Sequence, residues 1–263
     1  MIKQKILQKT FHGFGAEIYD LWWPEGSVSG DEQFYKELLK KQGGNSLEIG
    51  CGTGRILIPF LKENFELDGL DYSNDMLNIC RDKLNKYNLN AALYQSPMQD
   101  FKIPKKYNNI YVPFHSFMIV SDRNQALRSL ICFFEHLKQN GQLIISLFIP
   151  NYQALALYTE DQDKWRHCKE INLKDGKKVV ISDMVINFHL EQIKQVRYRF
   201  EIFDSGRLID THIQEMKIRW YFQYEFQLML ESVGFKNITA YGDFTFEPLK
   251  NYHREMTFQS FKP

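Results

Sequence analysis

Asp71, Glu48, His115 and the glycines at 50, 52 and 54 are the residues of this 263-residue chain whose types and spacing could do chemistry. Residues 47–55 read Leu-Glu-Ile-Gly-Cys-Gly-Thr-Gly-Arg, so three glycines at alternate positions directly follow a short apolar segment. Such a turn brings backbone amides up to a ligand with no Cβ in the way. The apolar positions that follow, Ile56, Leu57, Ile58, Phe60 and Leu61, suit a helix packed on a sheet, and the amides at its start favour a carboxylate or other anion. Phe65 to Leu70 then reads as a second short strand ending at Asp71. A carboxylate at that place can accept both hydroxyls of a ribose. The pattern is that of a Rossmann-like turn for a nucleoside cofactor.

The spacing separates cofactor classes. A nicotinamide or flavin fingerprint, Gly-x-Gly-x-x-Gly, needs glycine at 55, where this chain has Arg55. Gly-x-Gly-x-Gly with Glu48 two residues ahead resembles instead the first motif of the class I S-adenosylmethionine-dependent methyltransferases. Leu70-Asp71-Tyr72-Ser73-Asn74-Asp75-Met76-Leu77 resembles that family's next segment, and the resemblance gives the two flanks of the adenine to Tyr72 and Met76. Ser73 or Asn74 caps the helix that runs from there to about Asn90. Ser96-Pro97-Met98-Gln99-Asp100-Phe101 stands where related small-molecule methyltransferases carry Gly-Asp-Met-x-x-Phe. Pro97 replaces the acid that accepts from the adenine amino group and has no acceptor of its own. Gln99 or Asp100 is the substitute, while Met98 offers a backbone amide and a polarisable edge.

The resemblance covers residues 40–149 and implies S-adenosylmethionine as cofactor, with Glu48, Gly50, Cys51, Gly52 and Gly54 in the binding turn. Arg55, at the first turn of the following helix, is either a partner for the cofactor carboxylate or a solvated charge. Tyr19-Asp20-Leu21-Trp22-Trp23 resembles the aromatic segment that closes over the cofactor in small-molecule members. On that reading Tyr19 contacts the methionine carboxylate, and Trp22 and Trp23 line the acceptor pocket, where aromatic faces suit a cation. Methyl transfer asks little of side chains, because holding acceptor, methyl and sulfur aligned and dry supplies ~7 kcal/mol or more. His115, in Pro113-Phe114-His115-Ser116-Phe117 after the fourth strand, is the candidate for moving a proton, with Phe114 beside the cofactor.

The elements that must position these groups give an α/β protein: a seven-stranded, doubly wound, Rossmann-like sheet with an inserted antiparallel β lid. The spacing predicts the fourth strand over 109–113, an amphipathic helix over 124–140 stopped by Asn140-Gly141, and the fifth strand over 143–148. A helix over 221–233 and a hairpin of 237–241 with 256–262 complete the sheet. Residues 1–150 then hold an N-terminal helical segment and the cofactor-binding core, 151–220 the lid, and 221–263 the return to the core. Lid strands are expected over 179–187, 195–203 and 212–220, with turns at Asp175-Gly176 and Ser205-Gly206. Trp165, His167, Tyr198, Arg199, Arg219, Trp220 and Tyr221 are spread through this region, and strand alternation alone does not say which face the pocket.

Composition excludes more than it suggests. With 33 basic and 32 acidic residues there is no field to draw nucleic acid. No apolar run approaches the ~18 residues of a membrane span, and the first ten residues lack an apolar core, so a cytoplasmic protein is expected. The inserted antiparallel sheet resembles the substrate lids of small-molecule methyltransferases, and that resemblance implies a small-molecule acceptor. The four cysteines share no pairing or metal spacing, and the seven histidines occur singly, so no metal is expected. Edge strands of the lid offer a route to a homodimer. Two other classes fit parts of the pattern: a nicotinamide oxidoreductase, and a binding protein that keeps the cofactor site without turnover.

Overall fold

A computed structural model of the chain describes residues 5–9, 11–24, 26–151 and 164–263. The first part of the 151–220 insertion therefore lies outside the described residues.

The larger sheet has the order β11-β12-β6-β5-β2-β3-β4, built from β2 (Ser46–Ile49), β3 (Leu67–Asp71), β4 (Leu93–Gln95), β5 (Tyr107–Val112), β6 (Leu137–Phe148), β11 (Lys236–Gly242) and β12 (Glu255–Phe261). β2, β3, β4, β5 and β6 are parallel, and β12 pairs antiparallel with both β6 and β11. Both faces of the sheet are covered, which is why its strands read as apolar runs. Leu47, Ile49, Ile110, Val112, Leu143, Ile145 and Leu147 enter one core with α6 (Arg123–His136) and α7 (Gln223–Val233). Tyr111 and Ile144 point the other way, into a second core with α3 (Asp31–Gln42), α4 (Leu57–Lys62) and α5 (Asn74–Tyr87). Each fully buried Leu, Ile or Phe contributes about 1.5–3 kcal/mol to that packing.

The seven-stranded α/β sheet expected from the sequence is the one observed, with one correction inside it. The sixth helix ends at His136 and β6 begins at once, four residues before the expected stop. Asn140 takes a left-handed φ of 60° and donates its N–H to Lys262 O, while Lys262 N donates to Gly141 O. Pairing with the C-terminal strand, a contact far away in sequence, captures the Asn-Gly pair.

The second sheet runs β1-β10-β9-β8-β7, with β1 (Lys5–Lys9) parallel to β10 (Arg207–Arg219), and β9 (Ile193–Asp204), β8 (Lys178–Phe188) and β7 (Arg166–Asn172) antiparallel in turn. Three of these strands match expectation. β7 is mostly polar and exposed, and β1 comes from the N-terminal segment, so neither carries an alternating signal. Val179, Ile181, Phe200 and Ile202 bury one face of this sheet against Ile18 and Trp22. The short helices α1 (Phe14–Glu17) and α2 (Tyr19–Trp22) thus lie between lid and core. In the larger sheet the chain leaves β2 for β3 and β4 on one side, then returns to β5 and β6 on the other. The crevice beyond β2 and β5 is the switch point at which such folds bind ligands.

Candidate active site

The glycine turn is pinned before it can hold anything. Gly50 N and Cys51 N donate to Leu70 O at 2.7 and 3.1 Å, tying the turn to the end of β3. Gly52, at φ 55°, donates its N–H to Asp71 Oδ2 at 2.8 Å, and Ser73 N donates to Asp71 Oδ1 at 2.8 Å. Asp71 therefore joins both loops and still has a lone pair on each oxygen for a further donor. Burial raises its pKa, and the Ser73 and Gly52 bonds oppose that shift. A Cβ on Gly52 would come within 3.1 Å of the Met76 methyl, which would have to give way, and the left-handed φ of 55° strains any other residue there.

Ser73, and not Asn74, caps α5, its Oγ accepting from Met76 N at 3.3 Å. Ser73 Oγ also donates to Phe11 O, and Asp75 accepts from Gly13 N at 2.8 Å, which anchors the N-terminal segment over this end of the crevice. Tyr72 is half exposed and meets His12 edge-on at 6.1 Å. Ser96, Pro97, Met98 and Gln99 form the adjoining wall. Gln99 lines the crevice and Asp100 does not, so of the two candidate acceptors the fold presents Gln99, whose amide donates to Gln125 at 3.4 Å. Asp122, the cap of α6, lines the same wall, and the sequence reading passed over it.

Tyr19, Trp22 and Trp23 all reach the crevice. Their segment is latched by Asp20, which accepts from Thr53 Oγ1 at 2.6 Å and pairs with Lys83 at 2.6 Å. Burial raises the pKa of Tyr19. Trp22 stands edge-on to Tyr198 at 4.7 Å, joining the strap to the lid, and Trp23 stands edge-on to Phe114 at 5.0 Å.

Beyond β5, Phe114 and His115 take left-handed φ values of 51° and 62° in succession. Neither is glycine, and for a bulky residue such as Phe that conformation is strained. His115 Nε2 contacts Glu255 Oε2, brought by β12 from 140 residues away. The ring also stacks on Phe114 at 5.7 Å and meets Phe148 edge-on at 5.5 Å. Nothing in the local sequence marks Glu255, because its importance arises only when β12 pairs with β6. Lys194, Tyr198, Met216 and Ile218 from the lid close this end. The whole is one cavity of about 1340 Å³.

Four predicted cofactor residues are not on its wall. Glu48 is buried beneath the turn, accepts from Tyr111 Oη at 2.7 Å, and is pushed up to about 8 by burial. Cys51 is buried with its amide spent on Leu70, and its thiol packs behind the turn, where a Cβ on Gly69 would meet it at 2.8 Å. Gly54 makes room for Ile58 and Cys80. Arg55 is neither solvated nor turned to the cavity: it is buried in an ion pair with Asp31 at 2.6 Å and lies over the Phe114 ring. These residues build the turn and the floor beneath it. Among the described residues no group of three His, Cys, Asp or Glu side chains gathers as a metal site, and no helix is long and apolar enough to cross a membrane.

A glycine turn and a ribose-type acid at the switch point of a doubly wound sheet define a Rossmann-like nucleoside-binding protein. Comparison with known proteins narrows that class. The methyltransferase domain family matches residues 47–141. Malonyl-[acyl-carrier protein] O-methyltransferase 2 of Ilyobacter polytropus is 33% identical over 188 residues, covering 68% of this chain and 69% of that protein. The dTDP-3-amino-3,4,6-trideoxy-alpha-D-glucopyranose N,N-dimethyltransferase of Streptomyces venezuelae is 27% identical over 135 residues, 49% of this chain. The chain spans little more than half of that relative, 55% of its length. A solved S-adenosylmethionine-dependent methyltransferase from Clostridium acetobutylicum superposes with a TM-score of 0.74 at 17% identity, covering 94% of this chain and 96% of that one, a likeness of fold. The chain belongs to the class I S-adenosylmethionine-dependent methyltransferases.

S-adenosylmethionine is the cofactor of this family, and the cavity's donor set fits it. Asp71 has acceptor capacity for two ribose hydroxyls, and Tyr72, Met76 and Met98 supply apolar and thioether surface for a purine.

Proposed function

We propose that this chain transfers a methyl group from S-adenosylmethionine to a nitrogen or oxygen of a small-molecule acceptor. The observation that carries the reading is the cavity, which runs unbroken from Asp71 to the His115 and Glu255 pair. Its volume of about 1340 Å³ exceeds the ~300–1,000 Å³ typical of a one-ligand pocket. Two ligands therefore fit end to end.

When bound, S-adenosylmethionine would supply a methyl group on a sulfonium, whose carbon an acceptor nucleophile would attack in line while S-adenosylhomocysteine leaves as the neutral thioether. The chain's own work is to hold and shield. Asp71 takes the ribose hydroxyls, Tyr72, Met76 and Met98 flank the adenine, and Tyr19 covers the methionine end. Trp22, Trp23 and the lid exclude water and keep the acceptor aligned, which is where most of the acceleration arises. Glu255 holds His115 through Nε2, leaving Nδ1 as the ring nitrogen to take a proton from the acceptor. The sugar dimethyltransferase relative is named for transfer to nitrogen and the malonyl-carrier relative for transfer to oxygen, so both acceptor atoms belong to the reading.

Calorimetry with S-adenosylmethionine, S-adenosylhomocysteine and NADH, followed by release of S-adenosylhomocysteine over a panel of amines and alcohols, tests the reading. Binding of the first two alone and turnover with at least one acceptor are expected. Silence from both sulfur ligands overturns the cofactor assignment, and binding without turnover on any acceptor identifies a protein that keeps the site but not the transfer.

A further inference from the structure

Lys194 is a lid residue for which the site as described has no use. It lies on β9 on the face that turns inward, two residues before Val196 and four before Tyr198, and it lines the cavity. Its ladder neighbours are Asn187 on β8 and Ile218 on β10, neither of them charged. Asp183, on the same inward face, is engaged with Arg166 at 3.1 Å. The Lys194 ammonium stands 6.0 Å from the centre of the Phe148 ring, and His115 meets that same ring at 5.5 Å. Among the described residues its ammonium has neither a hydrogen bond nor an ion pair.

A cation half-buried in a cavity wall without a counter-charge is costly unless something in the cavity completes it. Burial pulls the Lys194 pKa below the ordinary lysine value, a desolvation cost that an anion bound beside it would offset. This charge and the proposed proton acceptor both neighbour the Phe148 ring and line the same cavity, so one small molecule can touch both.

We propose that Lys194 reads an anionic group, a carboxylate or a phosphate, carried by the methyl acceptor within a few bonds of the atom that is methylated. The inference rests on the reading of the cavity as a methyltransferase site and adds the substrate class. Lys194 acts as a specificity residue: it fixes the acid end of the acceptor while His115 and Glu255 face the nucleophilic end.

The test uses the full chain and three amines of similar length: propylamine, 4-aminobutanoate and 3-aminopropyl phosphate. The KM for at least one acidic amine is expected to lie about tenfold or more below that for propylamine, the size of one charged hydrogen bond. The better of the two names the anion. Lys194→Met removes the preference through KM with kcat little changed and leaves propylamine unaffected, whereas Lys194→Arg restores most of it. A second readout needs no turnover: with S-adenosylhomocysteine present, the acidic amine raises the Tm of the parent but not of Lys194→Met. Equal KM and Tm responses to all three amines, or a preference that survives Lys194→Met, overturn the proposal. A Lys194-dependent Tm rise without methylation of any amine upholds the anion site and counts against the methyltransferase reading instead.

Discussion

Asp71→Asn is the most informative substitution the site offers, because it keeps the shape of the side chain and removes its charge. The carboxylate accepts from Gly52 N and Ser73 N, one on each oxygen, and each oxygen has a second site for a ribose hydroxyl. An amide has one oxygen. Its NH2 must face either Gly52 N–H or Ser73 N–H, donor against donor, and at most one ribose hydroxyl keeps an acceptor. Losing one charged hydrogen bond and weakening the other, at about 1.5–3 kcal/mol each, amounts to about 3 kcal/mol or more, or over a hundredfold in Kd. The fold should tolerate the change better than the ligand does. Burial holds the Asp71 pKa above its ordinary 3.8, so the ligand-free protein loses stability from this group as pH rises through that region. Removing the charge relieves that cost and offsets part of the lost amide bonding. The assay is calorimetric titration with S-adenosylhomocysteine beside thermal unfolding of the ligand-free protein. A folded Asp71→Asn variant that binds as tightly as its parent refutes the assignment of the ribose to Asp71.

Three further outcomes follow from the same geometry. His115→Ala should lower kcat by about a hundredfold if the imidazole takes the acceptor proton, with S-adenosylhomocysteine affinity little changed, and Glu255→Gln should slow the same step and move its pH profile; steady-state rates against pH decide this. Glu48 has a folded-state pKa of about 8 against an ordinary 4.5, so its contribution to stability is complete below the lower value and lost as pH climbs to the upper one. Glu48→Gln keeps an oxygen for Tyr111 and should flatten the fall in urea-unfolding stability between about pH 5 and about pH 9. Arg55→Met strands the buried Asp31 carboxylate and should destabilise the protein by about 3–5 kcal/mol, read as a lower urea midpoint.

What the sequence showed best was whatever local spacing encodes. The glycine turn and the acid at the end of β3 depend on neighbours within a few residues and stand where expected, and of the two expected caps, Ser73 and Asn74, Ser73 is the one used. What it did not show depends on pairing between distant segments. Glu255 meets His115 across 140 residues, and Asn140-Gly141 reads as a helix stop until the C-terminal strand engages it. Arg55 is similar: a positive charge at the first turn of a helix reads as solvated or ligand-facing, and only the burial of Asp31 on α3 draws it inward. Alternation in β9 gave two faces, but which of them looks into the cavity follows from how the lid packs on Trp22.

Phe114 and His115 bear on how the protein could be redesigned. Two consecutive non-glycine residues in the left-handed region hold strain of about 1–2 kcal/mol each. A redesign guided by backbone conformation alone would place glycine at both positions to relieve that strain. It would also discard the ring that Trp23 and Arg55 pack against and the imidazole that Glu255 holds. Optimisation for robustness and optimisation for turnover pull these two residues in opposite directions, and thermostabilised versions of this chain should leave the pair untouched.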